Sequence, residues 1–129
     1  MRRNLLFLFA LALALPATGC VAAAAAGAAG GIYLTSRGAE SVVQGSVADV
    51  AGRAEAVMGE LGIIKEGEST EDQGDQQELK GKKGDLDVAI QIRRESPTTA
   101  KVEVTARKNL AEWDKDYAKD VLNRIVEKS

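Results

Sequence analysis

Leu86-Asp-Val-Ala-Ile-Gln-Ile-Arg93 and Ala100-Lys-Val-Glu-Val-Thr-Ala-Arg107 are two runs of strict alternation, separated by a turn through Glu95, Ser96, Pro97 and Thr98. Successive side chains of a strand point to opposite faces. Leu86, Val88, Ile90 and Ile92 therefore share one face, and Asp87, Ala89, Gln91 and Arg93 share the other. The second run separates Ala100, Val102, Val104 and Ala106 from Lys101, Glu103, Thr105 and Arg107 in the same way. Two such strands joined by a Pro-containing loop predict a hairpin at the core of an antiparallel sheet, half-buried along its length.

Working upstream, Lys83-Gly84 reads as a tight turn, and Gln76 to Lys82 as a strand with Leu79 its only large apolar residue. Ile63, Ile64 and Lys65 begin another strand, which is expected to run into an acidic loop, Glu66 to Asp75, turning at Gly74. Before it, Val47, Val50, Ala51, Ala54, Val57, Met58 and Leu61 recur at helical spacing. Ser46 stands where an N-cap hydroxyl would answer an orphan amide, and Gly62 where a helix stops. Glu40 to Gln44 gives a short first strand. Downstream of the hairpin, Tyr117, Ala118, Val121, Leu122 and Ile125 form the apolar face of a last helix. It begins near Asp114, or four to five residues earlier if Asn109-Leu-Ala-Glu112 is its cap. The expected order is β-α-β-β-β-β-α: an α+β fold, with an antiparallel sheet of about five strands and two helices packed on one face. In topology this resembles TATA-binding-protein-like and small helix-grip folds, a likeness that carries no function.

The 129 residues include one cysteine, no histidine, and 17 basic against 19 acidic residues. That excludes an intramolecular disulfide and imidazole chemistry, disfavours soft metal sites, and lacks the basic footprint of a nucleic-acid binder. Glu66, Glu68, Glu71, Asp72, Asp75 and Glu78 crowd one region without the ligand spacing of a calcium loop. They read as a solvated hairpin rim, so no metal site is expected. Lys80, Lys82 and Lys83 read as edge-strand lysines that deter sheet-to-sheet pairing, the other reading being contact with anionic head groups or glycan. Trp113 reads as a staple between the last helix and the sheet, or as an exposed contact residue. No Ser-x-x-Lys motif occurs and no carboxylate pair falls in an inferred apolar pocket. No catalytic residue and no cofactor are therefore expected. The core is thin, and the uncovered sheet face is the place to look for a partner.

The N-terminus has a different character. Met1, Arg2, Arg3 and Asn4 precede an unbroken apolar run from Leu5 to Leu15, then Ala17-Thr18-Gly19-Cys20. The run is too short to span a bilayer, and the pattern is that of a secretory signal. Leu15-Pro-Ala-Thr-Gly19 also spells a sortase pentapeptide, but at the wrong end of the chain. Ala17-Thr18-Gly19-Cys20 resembles the bacterial lipobox. The resemblance implies cleavage between Gly19 and Cys20, a diacylglycerol thioether on Cys20 and acylation of the new amino group. Loss of Arg2 and Arg3 with the leader would leave the rest more acidic. The expected organisation is a lipoprotein signal over 1–19, the acylated cysteine and an Ala/Gly-rich segment over 20–37, and a single α+β domain over 38–129. Residues 21–34 read either as a flexible tether or as a membrane-associated helix, since Gly27-Ala-Ala-Gly-Gly31 carries small-residue packing spacing.

Gly19-Cys20-Val21-Ala22, Gly38-Ala39-Glu40, Val47 to Gly62, and Asp114 with Tyr117, Val121 and Ile125 together resemble a group of small bacterial envelope lipoproteins, a domain family of unknown function. The resemblance implies a location and a fold but no activity. It implies a non-enzymatic binding or structural module, lipid-anchored in the cell envelope. With Val21 rather than Asp after the cysteine, the same resemblance implies the outer membrane, with the domain facing the periplasm. The alternative is a carrier of a small apolar ligand or lipid, held between sheet and helices. Partners expected on this reading are membrane lipid through acylated Cys20, an envelope protein, and a second copy in a homo-oligomer.

Overall fold

The computed structural model describes residues 31–128. The readings of leader, Gly19–Cys20 cleavage point, acylated Cys20 and residues 21–30 lie outside the described residues. The rest is one six-stranded antiparallel sheet with two helices. The strands are β1 (Tyr33–Leu34), β2 (Gly38–Gln44), β3 (Ile64–Glu71), β4 (Gln76–Lys83), β5 (Leu86–Ser96) and β6 (Thr99–Arg107); the helices are α1 (Val47–Leu61) and α2 (Lys115–Glu127). Spatial order across the sheet is β1-β2-β6-β5-β4-β3. The β5–β6 hairpin sits at the centre as expected, pairing Ile90 with Val104 and Ile92 with Val102.

Both helices cover one face. α1 packs over β4 and β5, and α2 over β2 and β6. Between the layers Leu79, Ile90, Ile92, Val102, Leu122 and Ile125 are fully buried. The caps are those expected. Asp49 donates its amide to Ser46 Oγ at 3.1 Å, and Tyr117 to Asp114 Oδ1 at 3.0 Å. Gly62 closes α1 in the left-handed region, φ 69°, where a side chain would be strained. Lys83 Nζ donates to the Leu61 carbonyl, placing a cation at the negative end of α1. Gly81 lets the end of α1 settle on β4: a Cβ there would stand 2.6 Å from Met58 Cε and 2.8 Å from the Ile64 carbonyl.

Four expectations are corrected. The sheet has six strands rather than five, because Tyr33–Leu34 pairs with Ala39 and Glu40 inside the stretch read as tether. β2 starts at Gly38 rather than Glu40. The acidic stretch is not a loop: β3 runs through it to Glu71 and only Asp72–Gly74 turns. Finally, Asn109 does not start the last helix. Its side chain accepts from the amides of Ala111 and Glu112, closing a local turn before Asp114 caps α2.

Candidate functional site

The sheet face away from the helices carries no covering layer among the described residues, and its side chains are ordered by register. Directly paired residues across an antiparallel sheet point to the same side, so each row of pairs is a row of side chains. One row runs Lys82, Asp87, Arg107, and then Trp113, which bridges to Arg107 beyond the end of β2. Two residues further along the strands come Lys80, Ala89 and Thr105. Two further still are Glu78, Gln91, Glu103 and Glu40. The next row holds Gln76, Arg93, Lys101 and Val42. Each row lies about 7 Å from the next along the strand.

The second row is the low one. Ala89 and Thr105 are small, and they floor a depression of about 300 Å³ bounded by Glu66, Lys80, Asp87, Arg107 and Trp113. Trp113 is held there by backbone and by charge. Lys108 N–H donates to the Glu112 carbonyl at 2.9 Å, and Asp114 N–H to the Ala106 carbonyl at 2.7 Å. These bonds close the 108–113 loop against the end of β6. The Arg37 guanidinium carbon lies 5.4 Å from the indole centroid and that of Arg107 6.0 Å, both within cation–π range. Arg107 lines the depression while Arg37 does not.

Charges alternate around this site. Asp87 faces Arg107 and Lys82, each at 3.8 Å, and Lys80 meets Glu78 at 3.1 Å. Gln91 Nε2 donates to Glu78 at 2.7 Å. That hydrogen bond is the main reason the Glu78 carboxyl is held below its ordinary range; partial burial opposes it and Lys80 adds to it. Glu40 pairs with Lys101 at 3.6 Å. Every ionised group lining the depression thus has an opposite charge close by or stands at an open rim. The arrangement offers donors and acceptors in alternation with little net field.

Several sequence-level readings look different against this geometry. Lys80, Lys82 and Lys83 are not edge lysines, since β4 lies inside β3. Nor are they one cluster: Lys80 and Lys82 are on the open face, whereas Lys83 reaches the end of α1. The acids of β3 divide between two sides. Glu68 joins Lys65 and Glu55 of α1 at the helix side, at 2.5 and 2.6 Å from the ammonium, while Glu66 borders the depression. Those two carboxylates raise the Lys65 pKa by hydrogen bonding to its charged form. Trp113 stands half-buried on the open face, and the backbone bonds beside it hold the start of α2 to the end of β6. Gly19 and Cys20 lie outside the described residues.

Thr105, Ala89, Asp87, Arg107 and Arg37 were not singled out by sequence. They occupy the polar phase of the alternating strands and a turn, and the signal that would have found them is cross-strand register. Comparison with family models, with curated proteins and with solved structures finds no match to this chain.

Proposed function

We propose that this chain is a lipid-anchored, non-enzymatic binding module of the bacterial cell envelope, which presents the open face of its sheet to a partner. One observation carries the reading: a basic start and an apolar run end on Ala17-Thr18-Gly19-Cys20, and Cys20 is the chain's only cysteine. Acylation of Cys20 would fix the domain to a membrane surface. Gly31 lies eleven residue steps further along the chain, so the contour limits their separation to about 36–40 Å. The domain therefore works close to the bilayer that holds it. Val21 after the cysteine supports the outer membrane, with the domain in the periplasm. Binding is assigned to the open face because Leu79, Ile90, Ile92, Val102, Leu122 and Ile125 fill the space between sheet and helices, where an apolar cargo would have to sit.

The test is the intact mass and membrane partition of protein isolated from its host. The expected product begins at Cys20, carries a diacylglyceryl group and an amide-linked acyl chain, and sediments with membranes; Cys20→Ala loses both lipid groups and keeps its leader. A product that retains its leader, or a soluble one with Cys20 unmodified, contradicts the proposal.

A further inference from the structure

The depression beside Trp113 has features that select a ligand class. We infer that it is a subsite for a neutral, hydroxyl-rich ligand: one or two rings of a sugar chain laid across the strands. The inference rests on reading the chain as a binding module, but not on acylation of Cys20.

Size comes first. About 300 Å³ is the low end of small-ligand sites and opens along the row of Lys80, Ala89 and Thr105 rather than into the core. The floor is low because Ala89 and Thr105, paired directly across β5 and β6, are the small residues of their row. Asp87 and Arg107, paired one row along, form one wall with Trp113, and Glu66 and Lys80 border the side toward β3.

Charge comes second. Glu66 and Asp87 balance Lys80 and Arg107 within the lining, so neither a free anion nor a polycation gains a net attraction. Vicinal hydroxyls suit this set, because each can donate to a carboxylate and accept from a guanidinium or ammonium. Trp113 supplies the third requirement, indole surface in the lining against which ring C–H groups can pack, next to the Arg107 guanidinium that lies over the indole. An extended peptide is a poorer fit: its backbone groups would seek a sheet edge, whereas this site offers a sheet face.

Trp113 is the chain's only tryptophan, so its fluorescence reports the site directly. The experiment titrates the full chain bearing Cys20→Ala with tetra-N-acetylchitotetraose, cellotetraose and maltotetraose. Pentalysine and tripolyphosphate serve as charged probes. The expected result is a saturable change with at least one oligosaccharide and none with the charged probes. Thr105→Arg, which fills the floor, and Asp87→Ala should each weaken binding by about tenfold or more. Lys119→Ala on exposed α2 should leave it unchanged, and circular dichroism should show the variants folded. Trp113→Ala, followed by calorimetry, should lose binding to a similar extent. No response to any oligosaccharide up to about 10 mM overturns the inference. So does a stronger response to a charged probe, or binding indifferent to Thr105→Arg. Because every arm uses the unanchored chain, these outcomes are independent of whether Cys20 is acylated.

Discussion

Strand β6 shows two environments on one backbone. Ala100, Val102, Val104 and Ala106 are fully buried under the helices, while Lys101, Glu103, Thr105 and Arg107 face outward and are only half-covered. Consecutive residues therefore answer to different physics. On the helix side each methylene removed from water contributes to stability and each void costs. On the open side charges and amides are screened and exchangeable with water, so their contribution to folding is small and they are free to be arranged for recognition. The fold is held by one face of the sheet, and the candidate site is built on the other.

The sharpest way to break that contrast is to truncate neighbours of opposite phase. Ile90→Ala should cost about 2–5 kcal/mol in urea unfolding, since Ile90 is fully buried against both layers. Gln91→Ala, one residue on, should cost less than about 0.5 kcal/mol at neutral pH. Equal losses would mean that the faces are not distinct. The caps come next: Ser46→Ala and Asp114→Ala should each cost about 1 kcal/mol, because each side chain answers an amide at the start of its helix. A smaller effect separates a buried polar atom from the apolar layer around it. The Tyr117 hydroxyl is buried without a hydrogen-bond partner among the described residues, so Tyr117→Phe should leave stability unchanged or raise it by up to about 1 kcal/mol. A clear loss in the melting curve would show that the hydroxyl has a partner.

The smallest effect is electrostatic and belongs to the open face. Gln91 holds the Glu78 carboxyl below its usual 4.5, so this contribution to stability is present above that value and is lost as pH falls through the lower, folded one. The gap between the parent and Gln91→Ala should therefore be about a few tenths of a kcal/mol near pH 7 and close in acid, since Glu78 is half-buried on a face that solvent still screens. A gap that widens in acid would contradict the assignment.

How much of this was legible in the sequence depended on period and cap chemistry. The β5–β6 hairpin announced itself because one face is covered and the other wet, which writes a period of two. α1 and α2 were legible from Ser46 and Asp114 as well as from their apolar stripes. The start of β3 shows in Ile64 and Lys65, but its acidic part reads as loop because both sides of an edge strand are exposed here; Glu-Gly-Glu-Ser-Thr-Glu has no phase to detect, and the ladder to β4 alone makes it a strand. A two-residue strand such as β1 is too short to show a period. The depression was illegible for another reason: Lys80, Ala89 and Thr105 are brought into one row only by turn lengths and by the bulge near Arg94, which set register.

The division between faces can be read directly by scanning β6 with single cysteines in the Cys20→Ala chain, which has no other thiol. Lys101, Val102, Glu103, Val104 and Thr105 are replaced one at a time, and the rate of thiol labelling is measured on folded protein. The rates should alternate, fast at 101, 103 and 105 and slower by orders of magnitude at 102 and 104. Uniform rates along the strand would contradict the account, whether because the helices do not cover one face or because something already covers the other.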